Sequence, residues 1–366
     1  MAGRSEVRSD VIWPSDLLLP ARPPKLVYLD MLVYIHLARV ATGTAPPGYA
    51  ELLQACQRSR AGGHTLFPLS STHVMEVSNI TSVEQRRSLV AVMEELSGFN
   101  YLLGRPQIQQ LEVEAAINEV PGVGIAPQGP IPLIGPSLLR AFGKRGGLEI
   151  HGPDPDAAAA QVCEALGIDA GTDAAASLER WAERQLLTGP DNHNDPALVS
   201  AGYSLEGWRK TLRNRAEQER QLVPQLDADP KLRRERLRDV INARETCIEL
   251  KGVLDKITAA MNTSFVDLLE RDPNKLRDFN DGMPSTRVAV SLKEHYHRDG
   301  RHEWTPNDIQ DIDALAIAVP YCDAVYADKA ARNSVVSSRE LDVFGTVLPR
   351  RPGELADWLN DLFAPQ

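Results

Sequence analysis

The chain is poor in cysteine and in aromatic residues, and it has no long apolar run. Its four cysteines, Cys56, Cys163, Cys247 and Cys322, stand far apart. That spacing excludes a Cys-x-x-Cys zinc site and a dense disulfide scaffold, and it predicts reduced thiols in a cytoplasmic protein. No window reaches the ~18 continuous apolar residues of a membrane-spanning helix. The opening MAGRSEVRSDVIWPSDLLLPARPP is broken by charge and proline, so it lacks the apolar stretch of a secretory signal. Basic residues are also in deficit. Against 50 Asp and Glu there are 40 Lys and Arg, a formal net charge of -10, which excludes a protein that coats nucleic acid or anionic membrane by bulk charge.

What is present fits an ordinary globular chain of 366 residues, 43% hydrophobic and 25% charged, with room for more than one packed unit. After an N-terminal extension over 1–23, the run Lys25 to Leu29 (KLVYL) reads as a strand ending in Asp30, followed at once by the helical pattern MLVYIHLARV. A second unit of the same kind has a strand at His64 to Leu69, then Ser70 and Ser71 as caps of a helix carrying Glu76. Ser82 to Gln85 opens a further helix through Leu96, which Gly98 ends.

From about residue 120 to 147 the composition turns to Gly and Pro without periodicity, and a connector is expected over 121–153. Residues 154–299 read as an all-helical insertion. Within it the stretch 231–261 carries an apolar stripe (Leu237, Val240, Ile241, Ile248, Leu254, Ile257, Met261), the signature of helix-bundle core. The α/β pattern then resumes. Thr305-Pro306-Asn307-Asp308 predicts a helix start, running to about Val319 where Pro320 breaks it. A strand over Ala324 to Ala327 leads to Asp328, another is expected over Val343 to Leu348, and a final helix over 353–363.

Alternating strands and helices at both ends imply a mainly parallel sheet, whose strand carboxyl ends form the usual ligand crevice. Asp30 and Asp328 stand at such ends. Carboxylates gathered there repel unless a cation neutralises them, and an all-oxygen set suits Mg2+ or Mn2+. Asp308 is explained by the helix dipole, and Asp311 shares that explanation in part. Asp313, in contrast, lies in the second turn of its helix, one turn from Ile309 and from Ile317, where a carboxylate needs a partner or a metal. Glu76 stands in the similarly apolar stretch VMEVSNI.

In order and context, KLVYLDMLVYIHLA, PLSSTHVMEVSNI and NDIQDIDALAIAVPYCDAVYADK resemble the acidic motifs of a PIN (PilT N-terminus) domain nuclease. The resemblance covers roughly 24–120 and 300–350; a minimal domain of this family has no counterpart of the helical region between. It implies a three-layer α/β/α core with a mainly parallel sheet, assembled from 24–120 and 300–366. It also implies an endoribonuclease that hydrolyses RNA through one or two Mg2+ or Mn2+ ions. Carried over by residue, Asp30, Glu76, Asp313 and Asp328 become the catalytic and metal-binding acids, with Asp311 as a supplement. The chain departs from the family at Tyr326, where many members have Thr or Ser two positions before the last acid.

Arg287 and Lys329 are the candidate phosphate-binding cations, since phosphate contacts dominate nucleic-acid affinity. The helical region adds a basic surplus over 201–260, 13 Lys and Arg against 10 Asp and Glu, clustered at Arg209, Lys210, Arg213 and Arg215 and again at Lys231, Arg233, Arg234, Arg236 and Arg238. Its expected roles are substrate selection, covering the cleft, or assembly with another copy or a protein partner. His295, His297 and His302 lack the Cys partners and spacing of a zinc site and are expected to be solvated. Two other readings stand beside the nuclease. One is a PIN-like scaffold that binds RNA or protein without turnover. The other is an aspartyl-phosphate hydrolase, which needs an Asp two positions after Asp30, where this chain has Leu32.

Overall fold

Residues that form strands and cap helices act locally where the pattern placed them, but the strands are short and the chain is mostly helical. The computed structural model describes residues 10–21, 23–144, 146, 147, 150 and 154–362. Residues 1–9 and 22 of the expected extension, 145, 148, 149 and 151–153 of the expected connector, and residue 363 of the last helix lie outside the described residues. The fold is mixed α/β with small parallel pairings, and among the described residues no helix is long and apolar enough to cross a membrane.

The chain divides into two units. One comprises 21–104, 134–205 and 351–366; the other comprises 1–20, 105–133 and 206–350. The helical stretch 154–299 is shared between the units near residue 205, and the stretches 24–120 and 300–366 are each divided between them, near residues 104 and 350. Helices that look alike in sequence carry different apolar faces, and only the partners of those faces decide which unit each joins.

In the first unit the strand Lys25–Leu29 pairs in parallel with Thr65–Leu66, with Lys25 opposite Thr65. Its Leu26, Val27, Tyr28 and Leu29 are at most 2% exposed, so a continuous run of strand formers is buried on both faces. The strand leads into the helix Met31–Ala38, and Thr65–Leu66 leads into Ser71–Asn79. Val83–Ser97 starts at the Ser82 cap and stops at Gly98, whose φ of 57° suits glycine. Tyr101–Leu102 pairs antiparallel with Ile134–Gly135, so the stretch expected to lack periodic structure contains a strand. At the neighbouring crossing, a Cβ built on Gly104 would lie 2.6 Å from the Ala141 carbonyl oxygen and 2.8 Å from the Gly143 nitrogen.

The second unit is organised around the helix Pro284–Arg298, of which twelve residues are buried, from Pro284 through Glu294 and His297. Its N-cap, Met283, offers no side-chain acceptor. Glu112 of the helix Arg105–Asn118 serves instead, accepting from the Ser285 amide at 2.9 Å, the Ser285 hydroxyl at 2.6 Å and the Tyr321 hydroxyl at 2.6 Å. Burial still pushes the Glu112 carboxyl up to about 7.

The 231–261 stripe is broken into Pro230–Glu235, Leu237–Arg244, a π turn Glu245–Glu249 and Lys251–Ala260. The extra residue per turn shifts the apolar face. Leu237 and Ile241 therefore pack with Leu222, Leu226 and Val290, Leu250 and Leu254 pack with Val113, Ile117 and Phe279, and Ile248 points outward.

The helix Pro306–Tyr321 begins with the expected capping box, the Thr305 hydroxyl accepting from the Asp308 amide and the Asp308 carboxylate accepting from the Thr305 amide at 2.6 Å. It passes through Pro320 and ends one residue later, because a proline so near the end costs few ladder bonds. The strand Ala324–Tyr326 follows. The second expected strand, Val343 to Leu348, is instead the 3-10 helix Arg339–Phe344, closed by Gly345 at φ 64°, with a single parallel bridge from Val347 to Ala324.

Substitution Gly104→Ala should lower stability by about 1–3 kcal/mol, since neither backbone atom in its way can swing aside. A thermal melt checks it, and an unchanged midpoint would show that the crossing has room for a methyl group.

Candidate functional site

The strand-end acids occupy two equivalent local settings, one in each unit. Asp30 follows the Lys25–Leu29 strand in extended backbone (φ -64°, ψ 158°) and accepts the Met31 amide at 2.7 Å. Asp328 stands just beyond the Ala324–Tyr326 strand and accepts the Ala331 amide at 2.8 Å, capping the helix Lys329–Ser337. Both are half-buried, and Lys329 beside the second is exposed. The same chemistry makes both corners: an aspartate ends a strand because it also starts a helix.

Each acid has acidic company within its own unit. The buried Tyr28 hydroxyl, 3.2 Å from Ser70 Oγ, is pushed far above its ordinary pKa by burial, then by the charge of Asp30 and more weakly by Glu76. Those two carboxylates thus act on one phenol. His73 fixes the geometry: its Nε2 meets the Leu29 carbonyl oxygen at 2.8 Å while its Nδ1 accepts the Ser70 amide at 3.0 Å. This bond pattern assigns the proton to Nε2, and it ties the start of the Glu76 helix to the residue before Asp30. Burial lowers the His73 pKa to about 4.

In the other unit burial and the charges of Asp311, Asp308 and Asp328 push the Tyr296 hydroxyl up to about 12. Asp311, Asp308 and Asp328 thus all act on the one phenol of Tyr296. Tyr326, two positions before Asp328, is 5% exposed.

Asp313 has a different fate. Arg215 grips both of its oxygens, at 2.6 and 2.9 Å, and Arg105 binds Oδ1 from another helix. Burial works against ionisation here, but Arg215 and Arg105 outweigh it and hold the carboxyl below the usual range. The pairing extends inward. Arg105 reaches Glu245 at 2.8 Å, Arg215 reaches Glu249 at 3.1 Å, and Lys293 contacts Glu245 at 2.8 Å, Glu219 at 3.1 Å and Glu249 at 3.4 Å.

Arg244 and His297 complete the network on Glu219, at 3.6 and 3.0 Å. Four cationic side chains thereby meet four carboxylates. Burial would raise the Glu219 carboxyl, yet Lys293, His297 and Arg244 bring it down to about 2. Asp313, expected as a catalytic and metal-binding acid, has guanidinium groups as its partners.

Sequence reasoning missed Arg105, Glu219, Glu245, Glu249 and Lys293. The available signal was spacing. Arg215 with Glu219, Glu245 with Glu249, and Lys293 with His297 each stand four residues apart, on one helix face.

Several cation assignments need correction. Arg287, expected to face phosphate, is 7% exposed and binds Asp10 at 3.1 Å and the Asp281 carbonyl oxygen at 3.3 Å. The basic clusters are not a solvated face throughout. Arg215 points inward, as does Arg238, which meets Asp281 at 2.5 Å and Glu294 and Glu340 at 3.1 Å. The three histidines are not loop residues in water. His297 is buried on Glu219, His295 Nδ1 lies 2.9 Å from Ser337 Oγ, and His302 stacks on Tyr296. Among the described residues, no three His, Cys, Asp or Glu side chains gather in a group that could hold a metal ion.

Two outcomes test these assignments. Asp313→Asn should cost about 3 kcal/mol of unfolding free energy, because it removes the charge shared by Arg105 and Arg215 and leaves them only Glu245 and Glu249; chemical denaturation measures it. Neutral His73 binds protons less readily than its unfolded counterpart. Its contribution is therefore complete above pH 6.5 and lost as the pH falls towards 4, about 3 kcal/mol in all. Denaturation at pH 7.5 and 4.5 should show this loss in the parent protein and a smaller one in His73→Gln. With these geometries in hand, comparison with known proteins adds no relative: no family model, no curated protein and no solved structure matches the chain.

Proposed function

We infer that the chain is a metal-dependent phosphodiesterase with a PIN-like α/β/α core, cleaving RNA with Mg2+ or Mn2+ as cofactor. The carrying observation is the repeated corner of strand, acid and capped helix at Asp30 and at Asp328. In α/β proteins such strand ends are where ligands bind. The donor chemistry fits: Mg2+ takes oxygen ligands, keeps several waters and is commonly held by only one or two carboxylates. Asp30 with Glu76, and Asp328 with Asp311, are pairs of that kind. Asp313 leaves the ligand set, since guanidinium groups occupy both its oxygens.

When bound, the cation would polarise a phosphate oxygen and lower the pKa of a water. The protein's part is to hold the acids rigidly. The helix-capping bonds of Asp30 and Asp328 fix their rotamers, and His73 locks the Asp30 corner to the Glu76 helix. Lys329 stands exposed beside Asp328, suited to meet a phosphate oxygen. The pairing of Asp313 also favours a second reading, a PIN-like scaffold that binds RNA or protein without turnover.

Cleavage of labelled single-stranded RNA and DNA across a Mn2+ and Mg2+ titration separates the two. The nuclease reading expects metal-dependent RNA cleavage, stopped by chelation and reduced at least a hundredfold in Asp30→Asn and in Asp328→Asn. Cleavage undiminished in both variants would reject the assignment, and RNA binding without cleavage at any metal concentration would leave the scaffold.

A further inference from the structure

A cavity of about 480 Å3 opens beside the π turn Glu245–Glu249, between the helices Leu237–Arg244 and Pro273–Gly282 and the short helix Phe265–Leu268. Its size falls in the ~300–1,000 Å3 range of small-ligand sites. Phe265, Leu269 and Leu276 give it apolar walls, anchored in the cluster formed with Phe279 and Met283. π turns inside helices frequently mark functional sites.

One polar group in this wall is left over. Asn242 is 1% exposed, and neither its Oδ1 nor its Nδ2 has a hydrogen-bond partner among the described residues. The adjacent polar groups are already satisfied among themselves: Asn280 Nδ2 donates to Thr246 Oγ1 at 3.0 Å and to the Asn242 carbonyl oxygen at 3.1 Å. A buried amide lacking both donor and acceptor partners is costly, so its presence in a cavity wall points to a ligand that supplies them. Arg236 and Arg271 line the same cavity beside Asp239 and Asp272 and are largely exposed. Each is in a solvent-screened pair, Arg236 with Asp239 at 3.7 Å and Arg271 with Asp267 at 3.4 Å. Arg271 holds the left-handed φ of 57°. Such strain is characteristic of ligand clamps.

We propose that this cavity binds a purine mononucleotide of the adenine type. The ring's two apolar faces suit Phe265 and Leu269. Its N6 donor and N7 acceptor match the acceptor and donor of a single asparagine amide, the pairing by which Asn reads adenine in nucleic acids. The phosphate would meet Arg271 and Arg236 at the mouth. This assignment does not depend on phosphodiester cleavage elsewhere in the chain.

The chain carries its own reporter. Cys247 is exposed and lines the cavity, whereas Cys56, Cys163 and Cys322 are buried. Alkylation of the native full-length protein by N-ethylmaleimide, followed by peptide mass spectrometry, reads Cys247 alone. Millimolar AMP should slow it at least fivefold and saturably. Asn242→Leu should be alkylated at the parent rate and lose that protection. The exposed change Arg271→Gln should weaken protection by AMP more than by adenosine. An alkylation rate indifferent to AMP overturns the proposal, as does equal protection by inorganic phosphate. If circular dichroism shows Asn242→Leu unfolded, Arg271→Gln decides, and protection by AMP undiminished there also overturns it.

Discussion

A carboxylate removed from water must be neutralised, and the way Asp313 is neutralised determines much of what its unit can do. Two guanidinium groups hold it, in a network of four cations and four carboxylates that alternate through the interior. Desolvation of so many charges is expensive, and their mutual attraction offsets it only when every partner is in place. The network therefore acts as a register device. The helices carrying Arg105, Arg215, Lys293 and Asp313 cannot slide past one another without leaving a charge buried and alone.

The strand-end acids are built on the opposite principle. Asp30 and Asp328 sit half-buried, each using one oxygen to cap a helix, with further acids close enough to raise the pKa of a neighbouring tyrosine. Asp313, by contrast, has both oxygens held by Arg215. Asn242 is a further case: its amide is buried beside a cavity, and neither of its polar atoms has a hydrogen-bond partner among the described residues.

Much of this was legible in the sequence wherever a short-range rule governs. The Lys25–Leu29 strand and the Asp30 cap, the Ser82 and Gly98 boundaries, and the Thr305 to Asp308 capping box depend on residues within four positions of each other. The need of Asp313 for a partner was also legible, from its place on an apolar stripe. The identity of that partner was not, nor was the inward turn of Arg215, Arg238 and Arg287, because a basic residue on a helix reads the same whether it faces water or a buried acid.

The sequence by itself determined the alternation of strand, acid and helix, the helix ends and the scarcity of positive charge, since each follows from composition or from neighbours along the chain. Only the tertiary structure decided which acids are neutralised by arginine, where the units divide, and that Asn242 lines a cavity. The physical reason is distance along the chain. Arg105 lies 208 residues from Asp313 and Arg215 lies 98 from it, and no local pattern encodes a pairing that exists only once the helices have packed.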